Sequence, residues 1–529
     1  MTTSAPETCL RMPRCHGIDI EECSISQLQD HLSKATFTSK ELVQCYLRRI
    51  ELINPRIKAI IETNPDALYI ADRLDSERKE GRIRGLLHGI PFILKDNIAT
   101  KDKMQTTAGS AALIGTVVSD DARIVTLLRE SGAVLLAKAN LSEFASMRAS
   151  YYAEGYSSRG GQNRNPYNLE CHPGGSSSGS ASSVASNMGT FSIGTETDGS
   201  IMSPADRNAV VGIKPTLGLV SMLGVIPESP SMDTIGPFGC CIKDAAIVLD
   251  VIREERVLSF TDDNSLVSTL PNEVLPGSYT SRLSKKDGCL EWCEIWAALE
   301  EKRAGAQVFK VDFPHAEEII PPNGWDWEFG NGETGSKLSE FQVVRTEFYN
   351  SLRLYLHKLE ENKGNILSLE DVVAYNVQHT TQEGGVPGTH PAWPTGQDNF
   401  DKCLESKDWP EDDYLKALDY IRRKSREEGI DAALRYKGNT SKVYGLLVPL
   451  QADGGVACSV AAKAGYPMIS IPIGVNDIGV PFGMGIIQTA LKEHLLVKYG
   501  SAIENLVGGR KLLKFHNLDA DNYPYVGTP

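Results

Sequence analysis

The chain has the composition of an ordinary globular protein, with 529 residues of which 41% are hydrophobic and 23% are charged. A chain of this length can bury a large core without disulfides or structural metals. The formal net charge is −14 and acidic and basic residues are interleaved, which argues against a nucleic-acid-binding protein with its basic patch. No run of about 18 apolar residues occurs, so we predict no membrane-spanning helix.

The eleven cysteines are scattered along the chain and do not suggest a disulfide framework. Free thiols in a reducing compartment fit this distribution. The first residues also lack the apolar core of a secretory signal, so a cytoplasmic location is expected. Cys289 and Cys293 form a CxxxC pair without a matching Cys/His pair nearby, and we therefore predict no metal site. No cofactor is predicted either.

Helices are predicted at the N-terminus. Residues 24–54 contain a capping box, Thr38-x-x-Glu41, followed by apolar residues at helical spacing. Asn54-Pro55 is expected to end this helix, because proline interrupts helix interiors. A further helix is predicted for residues 65–80, and residues 1–75 are assigned to an N-terminal helical region.

Short apolar runs then alternate with helical patterns, which predicts an α/β fold. Buried strands are predicted at 89–97, 133–140, 189–200, 444–450, 466–475 and 482–490, and helices at 122–131, 244–252 and 492–506. We therefore predict a large mixed β-sheet core covered by helices, in one domain of residues 76–529. Its core is assigned to 76–255 and 440–510, and a mainly helical insertion to 256–439.

A glycine- and serine-rich segment, PGGSSSGSASSVASN at 173–187, precedes a helix-forming stretch. Ala181, Val184 and Ala185 continue at helical spacing, which disfavours a flexible linker. A loop at a helix N-terminus presents N–H groups and hydroxyls. A phosphate-binding loop is a competing interpretation, but the Gly-Lys-Ser/Thr ending of that motif is absent.

A second segment, GTETDGSIMSPA at 194–205, is predicted to run from a strand into a tight turn. Such a turn can present a serine together with consecutive backbone N–H groups, as an oxyanion hole requires. The G-x-S-x-G elbow of many hydrolases is absent.

Lys95 ends the apolar run of GIPFILKDN at 89–97. Such a lysine ordinarily packs its aliphatic stem on apolar surface while its amine reaches water. A serine nucleophile needs a base, however, and none of the ten histidines lies in a recognisable Ser/His/Asp pattern; His172 is the nearest. A lysine can be that base if burial lowers its pKa enough to populate the neutral amine.

Together these three segments resemble the lysine, glycine/serine and nucleophile motifs of the amidase signature family. Ser200 follows Ser176 by 24 residues, which is the separation of the two catalytic serines in that family. GTETDGS and SRGGQNRNPY most resemble its peptide amidase-like branch. The resemblance covers most of the chain and extends to ELVQCYLRRIELINPRIKAII (41–61), AKANLSEFAS (137–146), GGQNRNPYN (160–168), VGIKPTLGLVS (211–221), TIGPFG (234–239), AAKAGYPMISIPIGV (461–475) and PFGMGI (481–486).

The resemblance implies the amidase signature fold and an amidase that converts a small-molecule or peptide amide to an acid plus ammonia or an amine. Ser200 would be the nucleophile, Ser176 would pass the proton from a cis peptide position, and Lys95 would be the base. Ser177 would support this network. The oxyanion would be held by the N–H groups of Thr197, Asp198, Gly199 and Ser200.

Two further expectations concern charge. If Lys95 is the base it must be neutral, so no acidic group should pair closely with it and Asp96 should turn elsewhere. Asp198 should contribute its N–H and direct its carboxylate away, because a negative charge facing an oxyanion would raise the barrier.

The chain departs from the family pattern in two places. Asp198 and Met202 stand where most members have Gly and Arg, and residues 256–300 lack the usual G-x-x-x-G-x-P-like strand. Three alternatives stay open: the glutaminase-like subunit of a tRNA-dependent amidotransferase, an enzyme that transfers an acyl group to an amine, and a catalytically silent scaffold. A homodimer is also left open.

Overall fold

The computed structural model describes residues 10–254, 259–260, 266–267, 277–284, 311, 313–322, 326–329, 335–435, 443–450 and 455–513. Cys289 and Cys293 lie outside the described residues, as does most of the 256–300 segment. Within the described ranges, no helix is both long and apolar enough to cross a membrane.

A nine-stranded mixed sheet forms the centre of the fold, with the spatial order β1-β3-β2-β4-β6-β5-β8-β9-β7. Strand β2 pairs in parallel with β3 and β4, and the other neighbours are antiparallel. The strands are β1 (Ile60–Thr63), β2 (Pro91–Lys95), β3 (Val134–Ala139), β4 (Phe191–Glu196), β5 (Val211–Lys214), β6 (Thr234–Gly239), β7 (Leu446–Pro449), β8 (Met468–Val475) and β9 (Pro481–Ile487).

Helices cover the sheet, so the large mixed sheet with surrounding helices agrees with the predicted fold class. The α-helices of six or more residues are Ile25–Ser33, Ser39–Ile57, Ala67–Lys79, Arg123–Glu130, Ser178–Ala185, Met202–Arg207, Ile242–Ile252, Glu340–Leu356, Leu369–Gln378, Asp398–Leu404, Glu411–Ser425, Val456–Ala464 and Glu493–Val507. The division of the chain into an N-terminal region, a core and an insertion stays a prediction.

The two parallel partners β2 and β4 position the functional residues. Phe92 pairs with Phe191 and the two rings stack with centroids 5.3 Å apart, which fixes the register of the strands. The carboxyl ends of parallel strands meet at one edge of a sheet. Lys95 ends β2 and the turn at 197–200 follows β4, so these two segments lie at the same edge.

The N-terminal helices differ from the sequence prediction. Residues 24–54 form two helices, and the second starts at the predicted capping box of Thr38 and Glu41. The prediction that Asn54-Pro55 ends the helix is wrong, because the helix continues through Pro55 to Ile57. A proline this close to a helix end removes only one backbone hydrogen bond. The strand β1 that follows was not predicted.

Candidate active site

Lys95 is completely buried at the end of β2, where all five residues of the strand are buried. Its Nζ lies 2.8 Å from Ser176 Oγ, 2.8 Å from Thr195 Oγ1 and 3.2 Å from the Thr195 carbonyl oxygen. Burial lowers the pKa of this amine from 10.5 to about 7, although the charges of Glu228 and Asp233 oppose the shift. The site therefore holds a lysine that can be neutral near physiological pH.

Asp96, the neighbour of Lys95 in sequence, turns elsewhere as predicted. Its carboxylate accepts hydrogen bonds from the Thr107 hydroxyl at 2.6 Å and the Gly109 N–H at 3.0 Å. Arg159 Nη1 lies 3.4 Å from its other oxygen. No acidic side chain in the described part of the chain forms a salt bridge with Lys95.

The glycine- and serine-rich loop brings Ser176 and Ser177 to the end of β4. The Gly175–Ser176 peptide bond is cis. The Ser177 hydroxyl donates to the Thr195 carbonyl oxygen at 2.9 Å and accepts from the Thr195 N–H at 3.3 Å. The predicted helix follows at Ser178–Ala185 and is buried along its whole length.

The glycine- and serine-rich loop and the turn at 197–200 are also joined through the backbone. The Ser177 N–H donates to the Ser200 carbonyl oxygen at 3.2 Å. Gly175 is closely packed, because a Cβ at this position would lie 1.7 Å from Glu154 Oε1 and 2.6 Å from Ser142 Oγ. The loop is thus held by the Ser200 backbone on one side and packs against Glu154 and Ser142 on the other.

The turn after β4 is closed by the last residue of that strand. Glu196 Oε2 accepts hydrogen bonds from the Ile201 N–H at 2.6 Å and the Met202 N–H at 2.9 Å. Gly199 has a φ of +75°, a conformation that glycine adopts without the steric cost of a side chain. Ser200 lies in this turn with 6% of its surface exposed.

The side chains of Thr197 and Asp198 are both bound to carboxyl groups. Thr197 Oγ1 lies 2.8 Å from Glu228 Oε2 and 2.6 Å from Asp233 Oδ1. The Asp198 side chain makes a hydrogen bond with the buried Glu340, at the start of the helix Glu340–Leu356. Burial first, and then the neighbouring Asp198, raise the pKa of Glu340 well above its usual range.

The structure therefore places Lys95 directly against Ser176, and Ser177 against Thr195 and the Ser200 backbone. Ser177 reaches Lys95 only indirectly, because Thr195 lies between them. His172 accepts a hydrogen bond from the Gly174 N–H at 3.2 Å, and burial lowers its pKa to about 3. The catalytic roles of these residues stay predictions at this point.

Sequence reasoning missed the residues that partner the predicted ones. Thr195 stands inside the GTETDGS motif, but nothing in the pattern indicated that its hydroxyl accepts from both Lys95 and Asn97, at 2.8 and 3.0 Å. Glu228, Asp233 and Glu340 are far along the chain from the turn that they contact. Only the fold brings them together.

Thr195→Val is predicted to impair the site through Lys95. The change keeps the shape of the side chain but removes the hydroxyl that accepts from the Lys95 amine, a loss of about 1–3 kcal/mol. We expect kcat/KM on an amide substrate to fall roughly 10- to 100-fold. Thr195→Ser, which keeps the hydroxyl, is the matched control. Wild-type kcat/KM in the valine variant would show that the hydroxyl is dispensable.

Within the described residues, one group of side chains has the composition of a metal site: His315, Glu317 and Glu318. His315 and Glu317 are exposed. Glu318 lies 2.8 Å from His315 Nδ1 and 2.9 Å from Lys424 Nζ. The Glu318 carboxylate is already paired with these two side chains, and we assign no metal to the group.

Comparison with known proteins gives a consistent result. The amidase family model matches residues 41–370. A Schizosaccharomyces pombe protein with a provisional amidase name is 46% identical over 97% of this chain and 90% of its own length. One component of the glutamyl-tRNA(Gln) amidotransferase of Acinetobacter baumannii is 29% identical over 90% of this chain and 95% of its own length.

Among solved structures, the native peptide amidase of Stenotrophomonas maltophilia matches with a TM-score of 0.82 and 36% sequence identity. The match covers 94% of this chain and 99% of that one. The nine-stranded sheet thus has the amidase signature fold. The chain belongs to the amidase family and is a hydrolase that acts on amides.

Proposed function

We propose that the enzyme hydrolyses a carboxamide through an acyl-enzyme on Ser200, with Ser176 and Lys95 as a proton relay. The Ser200 hydroxyl oxygen attacks the amide carbon while its proton passes to Ser176, and the Ser176 proton passes to the neutral Lys95 amine. Collapse of the tetrahedral intermediate breaks the C–N bond. The leaving ammonia or amine takes the proton back through the same relay.

The second half of the reaction repeats these steps with water. Water attacks the acyl-enzyme and gives its proton to Lys95 through Ser176. The intermediate releases the carboxylic acid, and the Ser200 oxygen recovers a proton. Lys95 thus begins and ends each cycle as a neutral amine.

The observation that carries this proposal is the contact between Lys95 Nζ and Ser176 Oγ, 2.8 Å long and buried at the sheet edge beside the nucleophile turn. A lysine in this position can accept a serine proton only if it is neutral. The pKa of about 7 that burial gives it meets this requirement.

The turn also supports an oxyanion hole. Among the described residues, the N–H groups of Thr197, Gly199 and Ser200 find no protein acceptor, so they are available to a developing negative charge. The Asp198 side chain is engaged by Glu340, which supports a contribution of Asp198 through its backbone. Ser177 holds the relay in place through its contacts with Thr195.

The similarity to a peptide amidase supports the choice of substrate class, and we propose a small-molecule or peptide amide. A panel of primary amides and peptide amides, assayed for ammonia, tests this. We expect release of ammonia together with an equal amount of carboxylic acid, from the isolated chain without partner proteins. No ammonia from any amide would contradict the proposal.

The same assay separates the alternatives. With an added amine, an acyl transferase would form a new amide in place of the acid, whereas the proposed hydrolase still forms mainly the acid. An amidotransferase component would need partner proteins for activity on a tRNA-linked substrate. Activity of the purified chain alone on free amides would argue against that role.

A further inference from the structure

Thr197, three residues before Ser200, is held between two carboxyl groups. Its hydroxyl oxygen lies 2.8 Å from Glu228 Oε2 and 2.6 Å from Asp233 Oδ1. All three side chains are buried. A hydroxyl has one hydrogen and can donate to only one acceptor at a time. The second contact is a hydrogen bond only if the hydrogen comes from a carboxyl group, so one of the two acids must be protonated.

The surrounding hydrogen bonds indicate which acid carries the proton. The Asp233 carboxylate also accepts the Glu228 N–H at 2.9 Å and the Ser229 N–H, and N–H donors stabilise an ionised carboxylate. Within the described residues, Thr197 is the only hydrogen-bond partner of the Glu228 carboxyl. Glu228 is therefore the better place for the proton, with Thr197 donating in turn to Asp233.

The neighbouring charges favour the same assignment. Asp198 and Asp233 are acidic neighbours of Glu228, so a further negative charge on Glu228 would be repelled in a buried site. Burial first, and then Asp233, raise the pKa of Glu228 well above its usual range. The titratable groups that face this pair are Lys95 on β2, Tyr152, Asp198 in the turn, Glu347 on the helix Glu340–Leu356 and Cys403 on the helix Asp398–Leu404.

The cluster also matters for Lys95, because Glu228 is the acid whose charge would act most strongly on that amine. An ionised Glu228 would stabilise the ammonium form of Lys95. The proposed relay requires the neutral amine. A protonated Glu228 supplies a hydrogen bond to the turn without adding this charge.

We propose that Glu228 is a positioning residue that stays protonated in the active enzyme, donates its hydrogen to Thr197 and so fixes the nucleophile turn without a second negative charge beside Lys95. The inference rests on the proposed function, because it takes Lys95 as the base. Glu228 acts through Thr197 and Lys95 and does not itself react.

Glu228→Gln is the informative variant, because the glutamine amide can donate to Thr197 but cannot ionise. In the wild type, kcat/KM should rise with pH as Lys95 loses its proton, and we call this rise the acidic limb of the pH profile. We expect the acidic limb of Glu228→Gln to stay at the same pH as in the wild type. Glu228→Ala removes the donor and should lower kcat by roughly tenfold, the effect of one buried hydrogen bond. Glu228→Gln should recover most of that loss.

The double variant Glu228→Gln/Asp233→Asn is the control for charge. It removes the remaining negative charge of the pair, so the acidic limb should move to lower pH. If Glu228→Gln alone moved the limb to lower pH, Glu228 would have been ionised in the wild type, and the proposal would be overturned.

Infrared spectroscopy gives a readout that does not depend on catalysis. We expect the wild-type enzyme to show a protonated carboxyl band at neutral pH that is lost in Glu228→Gln and in Glu228→Ala. Identical spectra in this region would overturn the proposal. If Lys95 is not the base, the acidic limb persists in Lys95→Ala, and the infrared band of Glu228 is unaffected by this result. A failure of the proposed function can therefore be told apart from a failure of the inference about Glu228.

Discussion

Replacement of Ser200 by alanine is expected to abolish turnover, with a loss in kcat of roughly 10⁶-fold, the scale seen when a serine nucleophile is removed. The reason is that the proposed acyl-enzyme needs the Ser200 oxygen, which no neighbouring group can replace in the same position. The residual rate should come only from substrate binding and the oxyanion hole. Ammonia release from the best amide of the panel measures the effect.

Ser203 offers a matched control for this variant. It lies one turn further on, in the helix Met202–Arg207, and has no role in the proposed relay. Ser203→Ala should keep most of the activity, and both variants should unfold at similar temperatures. A covalent acyl-enzyme trapped in Ser200→Ala would show that another residue is the nucleophile.

Replacement of Lys95 is expected to have the second largest effect. Lys95→Ala removes the base, and a positioned base contributes typically 10²- to 10⁴-fold to a rate. Lys95→Arg should fail as well, because a guanidinium stays protonated and cannot accept the Ser176 proton. An arginine variant with near-normal turnover would mean that the lysine only positions groups by its charge.

The pH profile tests the same residue in the wild type. The proposed relay requires the neutral amine, and burial lowers the pKa of Lys95 to about 7. The rate should therefore rise with pH through about 7 and level off on the alkaline side. Lys95→Ala should lose this limb.

Lys138 is a suitable control for the loss of a buried lysine. It is completely buried on β3, where its Nζ donates to the Ile98 carbonyl oxygen at 2.6 Å and to Thr106 Oγ1 at 2.9 Å. Burial lowers its pKa to about 8. Lys138→Met should alter stability but leave the acidic limb of the profile in place, because Lys138 does not contact Ser176 or Thr195 within the described residues.

The lowered pKa of Lys95 also determines how the stability of the folded protein depends on pH. The pKa of the lysine is lower in the folded protein than its ordinary 10.5, so the unfolded chain binds more protons between about pH 7 and pH 10.5. This group therefore makes the folded state more stable as the pH rises across that interval. Lys95→Ala removes the cost of burying the amine, and an inactive variant that remains folded is the expected result.

Much of the sheet could be predicted because its central strands are short, continuous apolar runs, as in β2, β3 and β8. Strand β6 is the sequence TIGPFG, whose glycines and proline disfavour strand formation. It forms nevertheless because β4 and β5 pair with it on either side. Strands β1 and β5 have only four residues each, too few to show a reliable alternation.

The site was predictable where its residues lie in one motif and unpredictable where the fold joins distant segments. The sequence around Lys95 was compatible with a solvent-reaching amine, and the family resemblance was what favoured a buried base. The parallel pairing of β2 and β4 then explains why Lys95 lies near the turn at 197–200. The hydrogen-bond contacts of Thr197 with Glu228 and Asp233 link positions more than 30 residues apart. No periodicity in the sequence encodes such a contact, because it depends on how β4 and β6 pair.

The identity of the nucleophile is tested most directly by covalent labelling. A fluorophosphonate should modify the wild-type enzyme once, and peptide mass spectrometry should place the adduct on Ser200. The reaction should be absent in Ser200→Ala and strongly slowed in Lys95→Ala, because the relay that activates the hydroxyl is lost. An adduct on Ser176 or on any other residue, or undiminished labelling of Ser200→Ala, would contradict the assignment of Ser200 as the nucleophile.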